Sequence, residues 1–141
     1  MTGKKRKGAL LTIVERKSKF TLTQKLPDRQ ARRVSNAVIK LLSPFKDKVF
    51  TITADNGKEF AQHERIARLL DAKVYFAHPY HAWERGLNEN TNGLLRQYFP
   101  KGTDFTKIKD NIVNKAMLLL NIRPRKTLNY KTPTEVFISA T

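Results

Sequence analysis

The sequence contains no cysteine and few acidic residues. Without cysteine the chain can form neither a disulfide framework nor a thiolate zinc site, which fits a reducing cytosol. No apolar run approaches the roughly 18–20 residues that a membrane span requires. The longest candidate, Ala116–Ile122, is far shorter. The basic N-terminus is not followed by a signal-type apolar region, because Glu15 interrupts it. We therefore expect no membrane partner and a cytoplasmic location.

Positive charge is what the sequence has in excess. Its 28 Lys and Arg residues against 12 Asp and Glu residues give a formal net charge of +16. A field of this size favours polyanions and accelerates their capture. Charge alone leaves open a nucleic-acid-binding protein, a ribosome-type structural protein or an unrelated enzyme with a basic surface; we favour nucleic acid. The length of 141 residues and a hydrophobic content of 40% suit one domain with a real core.

The apolar periodicity predicts an α/β chain. Two strands, Ala9–Val14 and Phe20–Leu26, flank a turn and indicate a hairpin, and Asp28 could cap the following helix. The later predicted elements are helix Ala31–Leu42, strand Val49–Ala54, helix His63–Leu70, strand Lys73–Ala77, helix Asn88–Phe99, helix Ile108–Leu120 and a turn-rich basic tail, Pro124–Phe137. A hairpin followed by β–α alternation predicts a mixed sheet flanked by helices.

Asp55 follows a predicted strand and begins an Asp-Asn-Gly sequence. Ligand and catalytic groups of α/β sheets gather at the carboxyl ends of strands, where loops open onto a crevice. The Asn-Gly pair permits a tight turn that would leave the carboxylate exposed. Asp-Asn-Gly is also a common turn in which the Asp only caps the backbone, so both interpretations remain open.

Glu89 lies near the start of a predicted helix in a segment rich in Asn and Gly. A carboxylate in a first helical turn is commonly just a partner of the helix dipole. This segment, however, is a costly way to build a helix, which favours a site over packing. Positions 89, 92, 93 and 96 share one helical face. On that face Glu89 could hold a metal, Gly93 would allow close approach of another backbone, and Arg96 could reach a phosphate.

A polynucleotide-processing site in a basic chain needs clustered acids. Hard divalent cations prefer oxygen ligands, and Mg²⁺ takes only one or two carboxylates at each site. Two ions roughly 3.5–4 Å apart can activate a nucleophile and stabilise the leaving oxygen of a phosphodiester. The nearest other acids are Glu59, which we assign to the turn, and Glu84, which we assign to the surface.

His78 and His81 have the spacing of a possible metal pair around Pro79-Tyr80. Two histidines still lack a third ligand, so we favour an ordinary structural role. The aromatic side chains nearby could stack on bases or simply pack. We favour packing for Trp83 and leave Tyr80 open.

Several segments resemble the retroviral-type integrases and DDE transposases. Residues 55–60, Asp-Asn-Gly-Lys-Glu-Phe, are similar to the D-N-G-x-E-F segment, and 33 residues separate Asp55 from Glu89, as in that superfamily. Arg85, Glu89 and Arg96 fit the Y-x₂-R-x₃-E-x₆-K/R transposase signature, except that its tyrosine is Ala82 here. The string at residues 85–102 and the segments 123–126 and 132–137 closely resemble the insertion-sequence-thirty family. The resemblance covers nearly the whole chain, from about Lys7 to Phe137.

This resemblance implies a ribonuclease-H-like fold and cut-and-join chemistry on double-stranded DNA with Mg²⁺ or Mn²⁺ in a two-metal site. Asp55 and Glu89 would be the second and third metal-binding acids, and Arg96 would contact DNA. Lys58 and Arg85 are possible further DNA contacts. Terminal repeats and target DNA would be the partners of a bacterial, nucleoid-associated transposase that is a homo-oligomer at full length.

The departure from the family is at the front of the sequence. The first catalytic Asp of the family lies on the strand before Ala9–Val14, a few residues upstream of the stretch that Gly3-Lys4 resembles, whereas no acid occurs here before Glu15. We therefore expect residues 1–141 to be an N-terminally truncated catalytic core that lacks the DNA-binding region and whose first strand is missing or incomplete.

Three functional hypotheses follow. In the first, the chain is an enzyme domain that hydrolyses a DNA strand and directs the freed 3′-hydroxyl to a second phosphodiester, with electrostatic stabilisation of the in-line transition state. In the second, it is a catalytically dead transposase fragment that only binds DNA; with two of three acids, the chain alone is predicted to lack strand transfer and to have reduced stability. A cellular ribonuclease-H-like nuclease would not explain the string from Arg85 to Arg96.

Overall fold

The computed structural model describes residues 8–15, 17–54, 58–76 and 91–139. The strands in these ranges are β1 (Ala9–Val14), β2 (Thr21–Leu26), β3 (Thr51–Ala54) and β4 (Lys73–Phe76). The helices are α1 (Ala31–Leu42), α2 (His63–Leu70), α3 (described over residues 91–95), α4 (Asp110–Asn121) and α5 (Pro133–Ser139). Short 3₁₀ helices are Ser43–Lys48, Lys58–Phe60, Phe105–Lys107 and Lys126–Leu128.

The four strands pair in two ways. β1 and β2 form the expected antiparallel hairpin, in which Ala9 lies opposite Leu26 and Val14 opposite Thr21. β3 and β4 are parallel, with Thr51 opposite Lys73, and α2 makes the connection between them. Antiparallel and parallel pairing are thus both present, as the mixed α/β class requires. Within the described ranges they form two separate two-stranded sheets.

Helices cover both faces of the β1–β2 hairpin. Because side chains alternate along a strand, Leu22 and Leu26 face one way and Leu10 faces the other. The first face packs on α1 and α2 through a buried cluster: Leu22, Leu26, Val34, Ala37, Val38, Leu42, Ile66, Leu70 and Ala72. The second face packs on α3, α4 and the segment between them through another cluster: Leu10, Leu95, Phe99, Phe105, Val113, Ala116 and Leu120. The hairpin is therefore the central layer between two apolar cores.

α4 also covers the outer edge of β2. The buried amide of Asn121 accepts from the Thr21 N–H at 2.8 Å and donates to the Thr21 carbonyl at 2.7 Å, as a neighbouring strand would. Farther along, Met117 Sδ lies 3.3 Å from the Thr23 N–H, and Lys25 Nζ donates to the Ile108 carbonyl at 2.7 Å. The helix thus satisfies backbone groups that an open sheet edge would leave for water or another chain.

Most predicted elements are found, with local corrections. α1, α2 and β1 have the predicted bounds, whereas β2, β3 and α4 begin one or two residues later than predicted. Asp28 does not cap α1, whose N-cap is Gln30 without a side-chain cap. Instead Asp28 Oδ1 accepts from the Gln30 N–H at 3.0 Å and lies 3.4 Å from Arg33 Nε, so it orders the approach to the helix.

The C-terminal tail was predicted to be turn-rich, but it contains α5. Thr132 Oγ1 accepts from the Glu135 N–H at 3.1 Å and donates to Glu135 Oε1 at 3.2 Å, so Thr132 caps a helix with proline in its first turn. The Phe137 ring of α5 stacks on Phe20 at 4.4 Å and meets Phe45 edge-on at 5.2 Å. The cap starts the helix, and the aromatic contacts dock it beside the hairpin.

Within the described ranges, none of the helices has the length and apolar character needed to cross a membrane.

Candidate nucleic-acid site

The carboxyl ends of β3 and β4 lie side by side. The last residue of β3, Ala54, is buried and pairs with Phe76, the last residue of β4. Parallel strands deliver the residues that follow them to the same sheet edge, where α/β proteins place their ligand groups. Asp55 directly follows Ala54 in the sequence, but Asp55 itself lies outside the described residues.

Lys58 begins the 3₁₀ helix Lys58–Phe60 and its side chain is exposed to solvent. The residues after it are tied to α1, because Phe60 packs on the first core and Gln62 Oε1 accepts from the buried Ser35 hydroxyl at 2.8 Å. Glu59, assigned to the turn from sequence, belongs to this 3₁₀ helix and is half-buried. Lys58 is thus an exposed cation on an anchored segment and forms no ion pair with the residues that the structure describes, a suitable position for a phosphate contact.

α3 is anchored by two buried side chains, Thr91 and Leu95, of which Leu95 is fully buried in the second core. Arg96, the predicted DNA contact, is half-buried, and its Nη1 donates to the Phe99 carbonyl at 3.3 Å. One donor of this guanidinium therefore stabilises the turn after α3. Glu89 and Arg85 precede α3 in the sequence and lie outside the described residues.

Among the described residues, no other backbone lies close to Gly93. A Cβ added there would meet no atom within 4 Å in the described structure. Gly93 is exposed, so its lack of a side chain leaves open space beside the helix rather than admitting a neighbouring segment.

His78, His81, Tyr80, Trp83 and Glu84 lie outside the described residues, so their predicted roles stay predictions. Among the residues that are described, no group of three or more His, Asp or Glu side chains is arranged to hold a metal ion. His63 has a structural role: its Nδ1 lies 3.3 Å from the Phe60 carbonyl, and its ring meets Phe76 edge-on at 5.1 Å.

A basic surface cleft of about 240 Å³ opens between the hairpin turn, α3 and the segment after α4. Its described lining residues are Lys19, Leu94, Arg123, Arg125, Lys126 and Thr127. Sequence reasoning noted residues 123–126 only as part of a resemblance and placed Lys19 in a turn. The sequence shows that residues 123–126 are rich in positive charge, but it does not show that they lie beside Lys19 in one cleft.

Comparison with known proteins identifies the family. The model described as "Integrase core domain" matches residues 1–82. The chain is 50% identical over 135 residues to the transposase for insertion sequence element IS4351 of Bacteroides fragilis, covering 96% of this chain and 41% of that protein. It is 41% identical over 128 residues to transposase InsI for insertion sequence element IS30A of Escherichia coli (strain K12), covering 90% and 33% respectively. The chain thus spans 33–41% of the length of these relatives.

Solved structures give the fold. The catalytic core domain of BIV integrase superposes with a TM-score of 0.76 at 20% identity, covering 99% of this chain and 90% of that one. A chain of the simian T-cell lymphotropic virus intasome, in complex with PP2A regulatory subunit B56 gamma, gives a TM-score of 0.71 at 22% identity, covering 96% and 50% respectively. The expected ribonuclease-H-like class is therefore confirmed. Together with the family match over more than half of its length, this establishes that the chain belongs to the integrase core domain family.

Proposed function

We propose that residues 1–141 form a catalytic-core unit of an insertion-sequence transposase, of the DDE type and the insertion-sequence-thirty family, that cleaves and joins DNA strands. The observation that carries this proposal is the identity of 39–50% to insertion-sequence transposases over nine tenths or more of the chain. The net charge of +16 supports a polyanionic substrate.

Asp55 and Glu89 are the proposed catalytic acids and the residues that would hold Mg²⁺ or Mn²⁺. Both offer hard oxygen donors of the kind these ions prefer, and Asp55 follows the buried end of a parallel strand pair. When bound, a divalent pair supplies electrostatic stabilisation to the attacking and leaving oxygens of a phosphodiester. Arg85, Arg96 and Lys58 are proposed to bind DNA phosphates and so to orient the scissile bond for in-line attack.

The proposed reaction proceeds in two steps. Water hydrolyses a phosphodiester at the transposon end, which leaves a 3′-hydroxyl and a 5′-phosphate on the two products. The 3′-hydroxyl then attacks a phosphodiester of the target DNA, forming one new bond while the target strand releases its own 3′-oxygen. The substrates would be double-stranded terminal-repeat and target DNA in the bacterial nucleoid, and the longer protein would act as a homo-oligomer.

A chimeric transposase tests the catalytic proposal, because the relative supplies every part of the protein outside the exchanged segment. In it, residues of this chain replace the matching 135-residue segment of the Bacteroides fragilis relative. Transposition of a marked element is expected, and Asp55→Asn and Glu89→Gln are each expected to abolish it. Lys115→Gln, an exposed change on α4, is the matched control. Normal transposition by either acid variant would refute the assignment.

The alternative of a binding-only fragment is tested on the 141-residue polypeptide itself. The sequence predicts that this polypeptide binds DNA but does not transfer strands alone. Incubation with terminal-repeat DNA and Mn²⁺ is the test, and specific nicking that Glu89→Gln removes would contradict the prediction. Mn²⁺ binding measured by electron paramagnetic resonance on the same polypeptide and its Asp55→Asn variant reports on the metal ligands without requiring turnover.

A further inference from the structure

The basic cleft between the hairpin turn and the segment after α4 brings four cations together. Lys19 comes from the turn, and Arg123, Arg125 and Lys126 follow α4. No acidic side chain is among its described lining residues, and none of the four cations forms an ion pair in the described part of the chain. Converging like charges without counter-charges repel one another, so a bound anion would relieve the site.

Arg125 is partly buried, whereas Arg123 and Lys126 are exposed. Arg125 Nη2 donates to the Leu120 carbonyl at 3.3 Å near the end of α4, whereas its buried Nε has no hydrogen-bond partner among the described residues. Burial lowers the pKa of Arg125, and the neighbouring charge of Arg123 lowers it further. A buried donor without an acceptor is rare in folded proteins. An oxyanion in the cleft would bring both negative charge and acceptor oxygens to this guanidinium.

The backbone holds the cleft in place before any ligand arrives. Arg125 forms a bridge to Lys131, in which the Arg125 N–H donates to the Lys131 carbonyl at 3.0 Å. Across the cleft, Asn121 ties the start of β2 to α4 and therefore keeps Lys19 near the arginines. Glu15, the acid of the same turn, is engaged by the Lys17 and Ser18 N–H groups at 2.6 and 3.0 Å. The cations are thus preorganised, and this carboxylate is already committed to the turn.

We propose that this cleft is a binding site for a backbone phosphate of DNA, with the partly buried Arg125 as its anchor and Lys19, Arg123 and Lys126 around it. The inference rests on the proposed function, because DNA is the source of phosphate that the family would present. Planar guanidinium groups bind phosphate through paired N–H donors, which suits Arg125 to this task. Leu94 of α3 forms part of the wall, so the bound strand would run beside the helix that follows Glu89 in the chain.

The first measurement follows the Nε–H resonance of Arg125 by ¹H–¹⁵N NMR on the 141-residue chain, assigned by its loss in Arg125→Lys. Inorganic phosphate is the probe, titrated at constant ionic strength against chloride. We expect a saturable shift of this resonance with phosphate and the same end point with a short DNA duplex. If the chain binds the duplex but the Arg125 resonance does not shift, the proposal is overturned. A shift with phosphate that the duplex neither reproduces nor displaces would assign the cleft to free phosphate and also overturn it.

The second measurement separates a site from the general positive field. The double variant R123Q/K126Q removes two exposed cleft cations, and the control R68Q/K115Q removes two exposed cations from α2 and α4 outside the cleft. Both have the same net charge, so the long-range attraction is matched. For the cleft variant we expect the slope of log K against log salt to fall by roughly two, and affinity at 0.1 M salt to fall by about tenfold per lost contact.

Equal losses in the two double variants would show that only the overall field matters and would refute the cleft. Circular dichroism checks that both keep the fold, which we expect because no side chain that is replaced makes a hydrogen bond in the described structure. The proposed catalytic function fails separately, if the Asp55 and Glu89 variants of the chimera still transpose. That result would leave the Arg125 shift and the salt slopes unchanged.

Discussion

The amide of Asn121 offers the sharpest test of how the two halves of the chain are joined. It is 4% exposed and bridges the last residue of α4 to the first residue of β2, 100 positions earlier, through both backbone groups of Thr21. The substitution Asn121→Ala removes both hydrogen bonds at once. It leaves a buried N–H and a buried carbonyl without partners at the outer edge of the hairpin.

The expected loss follows from those two orphaned groups. Each buried backbone donor or acceptor left unsatisfied costs about 1–3 kcal/mol, so the pair costs roughly 2–6 kcal/mol. Alanine gains a few tenths of a kcal/mol over asparagine in helix propensity, which offsets little of this. We expect the free energy of unfolding to fall by about 3 kcal/mol, a large part of the roughly 5–15 kcal/mol typical of a domain.

Urea denaturation followed by circular dichroism measures this change. Asn114→Ala is the matched control, because Asn114 is an exposed asparagine of the same helix, and its effect is expected to stay within about 0.5 kcal/mol. A loss of less than 1 kcal/mol for Asn121→Ala relative to this control would refute the bridge. The Arg125 resonance should also respond less to phosphate in Asn121→Ala, since the turn that carries Lys19 is no longer tied to α4.

Two further substitutions test the cores and the C-terminal helix. Leu95→Ala should lower the free energy of unfolding, measured with denaturant, by about 2–5 kcal/mol, because it empties a fully buried position where α3 packs in the second core. The control Leu118→Ala, at an exposed position, should cost far less, and similar losses would contradict this packing. Thr132→Ala should lower the free energy of unfolding by about 1 kcal/mol, because the Glu135 N–H loses its cap. Thr132→Ser retains the hydroxyl and should keep the stability, so a serine variant as unstable as the alanine variant would exclude the capping role.

The elements that the sequence predicts best are those with a strong apolar stripe and clear ends. α1 and α2 have the predicted bounds because their buried residues recur at helical spacing and polar residues flank them. Strand ends are less certain, since pairing decides where a strand stops; β3 begins at Thr51, the first residue opposite β4, rather than at Val49. α5 was missed because the whole tail, Pro124–Phe137, was predicted to be turn-rich, although Pro133 lies in the first turn of a capped helix.

The candidate site divides in the same way. Asp55, Glu89, Arg85 and Arg96 are predicted from sequence because their spacing resembles that of a known family, and Lys58 is predicted as a further DNA contact. Only the structure shows that Arg96 donates a hydrogen bond to the Phe99 carbonyl and that no described atom lies within 4 Å of a Cβ placed on Gly93. Hydrogen bonds and empty volume depend on neighbours that are distant in the chain, so residue spacing does not encode them.

The sequence by itself determined the net charge, the order of the strands and of helices α1 to α4, and the family to which the chain belongs, since composition, periodicity and motif spacing are local properties. The tertiary structure alone decided that α4 closes the edge of β2 and that Lys19 meets Arg123 and Arg125 in one cleft. Folding brings these cations together against their mutual repulsion. That repulsion favours a bound anion, which the sequence alone does not predict.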